Sequence, residues 1–416
     1  MASKGFFGGF DDIWMIDGVR TPMVDYCGEL GAVSATDLGI KVAREVLART
    51  GVPAADIGSV IAGNMAPSDF FQFMYPRLVG LYAGVPVEVP AIMVQRICGT
   101  GFELFRQAGE QISNGYCDAA LVVGAESMTR NPIAAFTHRT GFKLGAPVEF
   151  KDFMWEALID PAPNITMIQT AENLAKKYGI TRAEVDAYAS RSFARAVAAQ
   201  EEGFFAGEIV SVTPETFKLD GYADRHIELP RKVTSLDRDT HVRPSPVEVL
   251  AKLRSVYPNG VQTGGNSSAL VDAGAAAVVA SGSYVKAHQH KPLARVLAAA
   301  AVGVPPEIMG IGPAPAIRLL LERTGLKLDD IGRFEINEAQ GAQTLAVAKE
   351  LGLDQDRLNV HGGAIALGHP LAATGVRLTI TVARALRKSG QRYGISSACV
   401  GGGQGIALLL ENPDAA

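Results

Sequence analysis

Short apolar, β-branched runs alternate along the chain with longer stretches in which apolar residues recur every three or four positions. Residues 12–17 (DIWMID), 57–62 and 119–123 read as strands, and residues 91–94 and 393–398 as β-like runs. Residues 36–50 read as a helix with Val42, Val46 and Leu47 on one face, and residues 101–114 as another helix. Strands alternating with helices of this length predict an α/β protein with helices packed on sheets.

The pattern also repeats. Residues 44–58 (REVLARTGVPAADIG) and 318–332 (RLLLERTGLKLDDIG) share eight of fifteen positions, among them Arg49/Arg323, Thr50/Thr324, Gly51/Gly325 and Asp56/Asp330. Each copy reads as a helix that stops at a glycine, turns and enters a strand. Two duplicated halves follow, with an insertion between them. Residues 131–254 are richer in Pro, charge and aromatics and lack the strand–helix alternation, so they read as a loop domain lying over the site.

At 416 residues, the chain has room for two or three domains at ~150 residues each. With 48% hydrophobic residues it has ample apolar surface to fold without staples. Its net charge is −4, so there is no basic excess to neutralise a nucleic-acid backbone. The four cysteines (Cys27, Cys98, Cys117, Cys399) are scattered, unlike a disulfide framework or a metal site, which points to a reducing compartment. The longest apolar run, residues 296–304, ends at Pro305-Pro306, short of a membrane span. Asp11 and Asp12 stand where a signal peptide needs apolar residues. Cytosol is the expected location.

Three glycine-rich segments carry reactive side chains. In residues 95–102 (QRICGTGF), Cys98 lies between a β-like run and a helix, where backbone N–H groups and the helix dipole favour a thiolate. A buried structural cysteine fits the same pattern. In residues 361–377 (HGGAIALGHPLAATGVR), His369 is fixed between Gly368 and Pro370, with His361 as a competitor that spacing alone does not exclude. In residues 399–405 (CVGGGQG), Cys399 heads a run whose N–H groups suit an oxyanion or a phosphate, or form a plain loop. Residues 334–340 (FEINEAQ) end a strand in Asn337 and Glu338, which are costly in a core unless hydrogen-bonded or facing a site. The order of a Ser–His–Asp triad, a P-loop and a dinucleotide fingerprint are all missing.

Taken in order, GVRTP (18–22), CGTG (98–101), GAESMTR (124–130), TAEN (170–173), GGNSS (264–268), MGIGPAPA (309–316), NEA (337–339), GGAIALGHP (362–370) and CVGGGQG (399–405) resemble the thiolases almost end to end. The resemblance implies a duplicated, five-layered αβαβα core with an inserted loop domain. The first half would comprise residues 1–130 plus 255–290, the insertion residues 131–254, and the second half residues 291–416. It implies that Cys98 is the acylated nucleophile, that His369 takes its proton, and that Cys399 exchanges a proton with the acetyl-CoA α-carbon. Asn337, through a water, would join His369 in one oxyanion site, and the N–H groups of Cys98 and Gly401 would form the other. Ser268, Gly265, Met167 and Arg243 fall where the family contacts CoA. Thr166 stands where the family usually has His, and Gln340 where it has Phe; both border the acyl end of the tunnel. No tightly bound cofactor or metal is implied, only CoA and acyl-CoA as substrates, with a homodimer or homotetramer as the assembly. Ketosynthases and hydroxymethylglutaryl-CoA synthases share the nucleophile but not a second cysteine before GGG. Two other readings are a subunit for bulky or aromatic acyl groups that needs a small OB-like partner, and a non-catalytic acyl-CoA or lipid carrier. The aromatic segment 69–75 (DFFQFMY) reads either as core or subunit contact, or as the wall of a bulky acyl pocket.

Overall fold

Nine strands define the core of the computed structural model, which describes residues 4–136 and 138–415. They are β1 (Ile13–Arg20), β2 (Ser59–Gly63), β3 (Ala91–Met93), β4 (Ala119–Glu126), β5 (Val271–Ser281), β6 (Ala294–Gly303), β7 (Ile331–Ile336), β8 (Tyr393–Val400) and β9 (Gln404–Glu411). Their order is β7-β8-β9-β6-β1-β5-β4-β2-β3, and the short strands Phe6–Gly9 and Val24–Asp25 pair onto β6 and β5. Strand β4 is buried on both faces, which is why its sequence is a continuous apolar run rather than an alternation.

The order is symmetric about the β1–β6 contact. On one side β3 and β4 flank β2 in parallel, and β5 and β1 follow antiparallel. On the other side β7 and β8 are parallel, and β9 and β6 follow antiparallel. Where β3 has its counterpart, only a single parallel bridge between Phe334 and Leu358 remains. The sequence repeat is the signature of this duplication. Helix α1 (Ala35–Thr50) ends at Gly51 with φ 68°, and the helix Pro313–Thr324 ends at Gly325 with φ 74°. In both, the last threonine hydroxyl donates back to a carbonyl one turn earlier: Thr50 to Val46 at 2.8 Å, and Thr324 to Leu320 at 2.9 Å. The two half-sheets are joined, because β1 and β6 pair at Met15–Ala294 and Trp14–Arg295.

Five layers result. Helices α1 and Tyr75–Tyr82 cover the outer face of the first half-sheet. Between the half-sheets lie α2 (Thr100–Ser113) and, further along the chain, the helix Leu371–Ser389, whose apolar side chains share one core with both sets of strands. Helices Pro313–Thr324 and Gly341–Leu351 cover the outer face of the second half-sheet. The segment 131–254 is more regular than its sequence suggests: it contains α3 (Met167–Tyr178) and α4 (Arg182–Glu201). The start of α4 was legible as a capping box, since Thr181 and Glu184 each take the other's backbone N–H. We label the remaining helices α5 (Pro313–Thr324), α6 (Gly341–Leu351) and α7 (Leu371–Ser389).

The GVRTP segment has a structural task. Arg20, fully buried at the end of β1, donates to Glu208 (2.8 Å) and to both oxygens of Asp239 (2.6 and 2.9 Å), tying residues of the 131–254 segment to the core. A buried cation needs such complete pairing. In the central layer, α2 and α7 touch backbone to backbone. A Cβ on Gly375 would lie 2.4 Å from the N of Phe102, and one on Gly101 would lie 2.5 Å from the N of Val376. Gly375→Ala is therefore expected to lower the unfolding free energy by about 1–3 kcal/mol, or more, through overpacking against backbone. Urea denaturation measures this; an unchanged midpoint would mean that the helices are free to separate.

Candidate active site

Cys98 sits in one turn of 3₁₀ helix, Ile97–Gly99, just ahead of α2. The turn is strained: Ile97, a β-branched residue, has φ 46°. It is held by Thr100, whose hydroxyl accepts from the Arg96 N–H (2.9 Å) and donates to the Ile97 carbonyl (2.7 Å). Arg96 in turn reaches Glu103 and, on β9, the side-chain oxygen of Gln404 (2.9 Å). Gly99 is required because a Cβ there would lie 2.8 Å from Val400.

The helix start does not make Cys98 a thiolate at rest. Burial pushes the thiol up to about 11, against the hydrogen bonds from the N–H groups of Gly401 and of Cys98 itself. Cys98 is partly buried, and the desolvation that follows outweighs a helix dipole worth about 0.3–1 kcal/mol. Cys399, at the end of β8, is 1% exposed, and burial together with nearby Cys98 holds its thiol far above the usual range. Both thiols are protonated at neutral pH. Cys399 heads a hairpin in which Gly402 (φ 79°) and Gly403 (φ 83°) turn the chain into β9. The Gly402 N–H is fixed by Asp160 at 3.0 Å. The hairpin aims the N–H of Gly401 at the Cys98 sulfur.

His369 is buried at the entrance to α7, and its N–H donates to the Ala269 carbonyl at 3.0 Å. Its Nδ1 lies 2.6 Å from the Thr374 hydroxyl and its Nε2 lies 3.3 Å from Asn337 Nδ2. With the Asn337 amide donating, Nε2 is the accepting nitrogen and Nδ1 carries the proton. Burial, helped by the charge of Arg377, pushes the imidazole down to about 3, so it is neutral. Asn337 Oδ1 is left without a protein partner. His361 is placed elsewhere: its ring stacks on Phe204 with centroids 3.5 Å apart. Glu338, beside Asn337, is turned the other way and accepts from Tyr188, Ser192, Asn359 and the Ile365 N–H, which locks α4 and the loop before α7 to the end of β7.

Cys98 rests against the cluster Met128, Met154 and Leu371, the last only two residues beyond His369. Cys399 packs with Met309, Ala339 and Met167. Met154, Met167 and Ala339 from these clusters also line a cavity of about 420 Å³ that opens outward between the 131–254 segment and the loop 263–270. Thr166, Ser268 and Gln340 line it too. Thr166 caps α3 and bonds the Tyr257 hydroxyl at 2.7 Å; the buried Gln340 Oε1 has no partner. Gly265 and Arg243 are not part of this lining: Gly265 abuts Leu250 and Leu253, and the exposed Arg243 lies over the Phe193 ring at 5.4 Å. Trp155, Tyr26 and Leu158 line the cavity and were missed in the sequence, although the run FMW at 153–155 in a polar segment was a usable signal. Glu126 was missed as well. It is fully buried, accepts from the N–H groups of Met65, Ala66 and Ala372 and from Asn64, and joins the two halves beside Cys98. Among the described residues, no group of three or more His, Cys, Asp or Glu is arranged to hold a metal, and no helix is long and apolar enough to cross a membrane.

A fold of two like halves, with a cysteine and a histidine at the starts of the two central helices and a second cysteine on a glycine hairpin, defines a thiolase. Residues 13–283 match the family model of the thiolase N-terminal domain and residues 290–412 that of the thiolase C-terminal domain. The chain belongs to the thiolase family and is an acyltransferase. It is 40% identical over 402 residues to the mitochondrial 3-ketoacyl-CoA thiolase of Mus musculus, covering 96% of this chain and 98% of that one. It is 40% identical over 410 residues to a beta-ketoadipyl-CoA thiolase of Acinetobacter baylyi, covering 96% and 98%. The crystal structure of human mitochondrial 3-ketoacyl-CoA thiolase in complex with CoA superposes with a TM-score of 0.90 at 38% identity, covering 96% of this chain and 98% of that one.

The buried neutral imidazole gives a signed pH prediction. In the unfolded chain His369 titrates near 6.5, while in the folded chain it stays neutral to about 3. Its contribution to stability is complete above the unfolded value and is lost as pH falls through this window. The stability of the wild type relative to His369→Gln should fall by about 1.4 kcal/mol per pH unit between pH ~6 and ~4. Urea unfolding of both proteins at several pH values checks this; a pH-independent difference would mean that the histidine protonates readily in place.

Proposed function

We propose that the protein catalyses thiolytic cleavage of a 3-ketoacyl-CoA by CoA to acetyl-CoA and a shortened acyl-CoA, or the reverse Claisen condensation, through an acyl group on Cys98. The observation that carries this reading is that Cys98, Cys399 and the Gly401 N–H lie together, with His369 two residues before Leu371 of the cluster on which Cys98 rests, behind Met154 and Met167, which line the cavity.

Cys98 gives its proton to His369 Nε2 as the sulfur attacks the 3-keto carbon. Transfer is coupled to attack, because neither separate ion is favourable at this burial. The C2–C3 bond breaks, its electron pair leaves as the enolate of acetyl-CoA, and the Cys399 S–H supplies the proton to that carbon. CoA then attacks acyl-Cys98: its thiol proton restores Cys399, the Cys98 sulfur leaves, and the imidazolium of His369 returns its proton to that sulfur. Two sets of donors meet the charge that develops on oxygen: the N–H groups of Cys98 and Gly401, and the Asn337–His369 pair. Donors of this kind, fixed in advance and shielded from water, are worth about 3–4 kcal/mol each.

In the same reading Ser268, Gly265, Met167 and Arg243 contact CoA, and Thr166 and Gln340 border the acyl group. Residues 131–254 form the covering domain inserted into a first half of residues 1–130 plus 255–290, and residues 291–416 form the second half. The assembly is a homodimer or homotetramer. The free state of all four cysteines supports a reducing compartment, and we place the protein in the cytosol. A carrier without catalysis is disfavoured by the retention of Cys98, His369 and Cys399 together.

The division of labour between the thiols is testable. Cys399→Ala should still take up label from labelled acetyl-CoA on Cys98, while cleavage of acetoacetyl-CoA falls by about 10²–10⁴-fold, the usual span for loss of a general acid–base. Cleavage near the wild-type rate would remove Cys399 from the mechanism.

A further inference from the structure

The glycine tip of the 399–405 hairpin has few local reasons to keep one shape. The ladder between β8 and β9 ends at Val400–Gln404, so residues 401–403 run without strand pairing. Gly402 and Gly403 lie in the left-handed region, and glycine is the residue least restrained there. Packing does not clamp Gly401 either: a Cβ there would have no neighbour nearer than 3.7 Å, at Ile97. Yet the N–H of Gly401 has to stay on the Cys98 sulfur. One anchor of the tip is the Gly403 carbonyl, which accepts from the Val304 N–H at 2.7 Å. The other comes from the 131–254 segment.

That second anchor is Asp160. It is 2% exposed and stands on the short strand Ile159–Asp160, which pairs with Ile165–Thr166. One carboxylate oxygen accepts from the Ala162 N–H and the other from the Gly402 N–H, both at 3.0 Å. Gly402 is an exposed residue, yet its N–H is taken by a buried carboxylate. A carboxylate out of water is costly unless N–H groups meet it, and the bonds it then accepts are about twice as strong as neutral ones. Leu158, Thr166 and Met167, beside this strand pair, line the cavity. The Met167 N–H donates to the Leu158 carbonyl (2.9 Å), and its sulfur would lie 3.8 Å from a Cβ on Gly401. The strands that wall the cavity therefore also hold the hairpin.

Building on the thiolase reaction above, we propose that Asp160 is a positioning residue for acyl transfer: by holding the Gly402 N–H it fixes the Gly401 N–H against the oxygen of the carbon bonded to Cys98. That oxygen gains charge when the Cys98 sulfur attacks a substrate and again when CoA attacks the acyl group. A donor displaced by about 1 Å gives up much of its effect there. Asp160 is not part of the cavity lining, so its loss acts on the rate of the bond-changing steps rather than on the binding of CoA.

The test compares full-length Asp160→Ala and Asp160→Asn with the wild type. It measures the rate at which labelled acetyl-CoA acetylates Cys98, kcat and KM for acetoacetyl-CoA cleavage, and the Kd for CoA. Asp160→Ala should slow acetylation and kcat by about 10–10²-fold with KM and Kd little changed, the pattern of an interaction made only in the transition state. Asp160→Asn, with one acceptor oxygen in place of two, should fall between Asp160→Ala and the wild type. Acetylation of Asp160→Ala at near the wild-type rate, an Asn variant no faster than the Ala variant, or a loss of CoA binding in step with the rate would overturn the proposal and leave the thiolase reading standing. Should Asp160→Ala fail to fold, Asp160→Glu, which carries the carboxylate one methylene further, decides in its place. A slowed acetylation with CoA binding retained would then uphold the proposal, and a wild-type rate would overturn it. A wild type that acetylates no cysteine would overturn both readings.

Discussion

Two central helices meet at Gly101 and Gly375 with no side chain between them, and the chemistry depends on that contact. Cys98 lies three residues before the first glycine, and His369 six residues before the second. Bringing the helix backbones together brings their starting turns together, one from each duplicated half. The second cysteine comes from β8, against which α7 packs. The duplication is thus the source of the site: neither half alone holds a nucleophile, a base and a second thiol.

Burial then sets the resting state. Both thiols and the imidazole are held in their neutral forms, so the site carries little charge until substrate arrives. Charge appears only as bonds change, where the N–H of Gly401, the Asn337 amide and His369 are already in place. Donors in a dry site need no reorganisation at that moment, which is how fixed dipoles accelerate a reaction. Glu126 and Glu338 are each enclosed by four donors and serve as braces between segments.

Much of this could be read from residues alone. The repeat at 44–58 and 318–332 foretold the duplication because both copies need the same left-handed glycine and the same threonine back-bond. The glycine-rich segments stood out because close backbone approach at Gly99, Gly101 and Gly375 leaves room for nothing else. Other features were hidden. His361 stacks on Phe204 while His369 meets Asn337 and Thr374, a difference in packing that spacing does not record. The resting thiol of Cys98 depends on burial by distant segments, which outweighs the local helix start. Helix α4 was obscured because it lacks a strong apolar stripe, whereas α3 has one and lies in a segment otherwise without strand–helix alternation. The join of the half-sheets at β1 and β6 rests on two residue pairs, too few to leave a pattern.

The central claim is that Cys98, at the meeting point of the two halves, is the thiol that carries the acyl group. Peptide-resolved mass spectrometry of the protein quenched after incubation with acetyl-CoA tests it most directly. One acetyl group on the peptide containing Cys98, lost again on addition of CoA, is the result this account requires; an acetyl group on Cys399 or Cys117, or none on any cysteine, would contradict it.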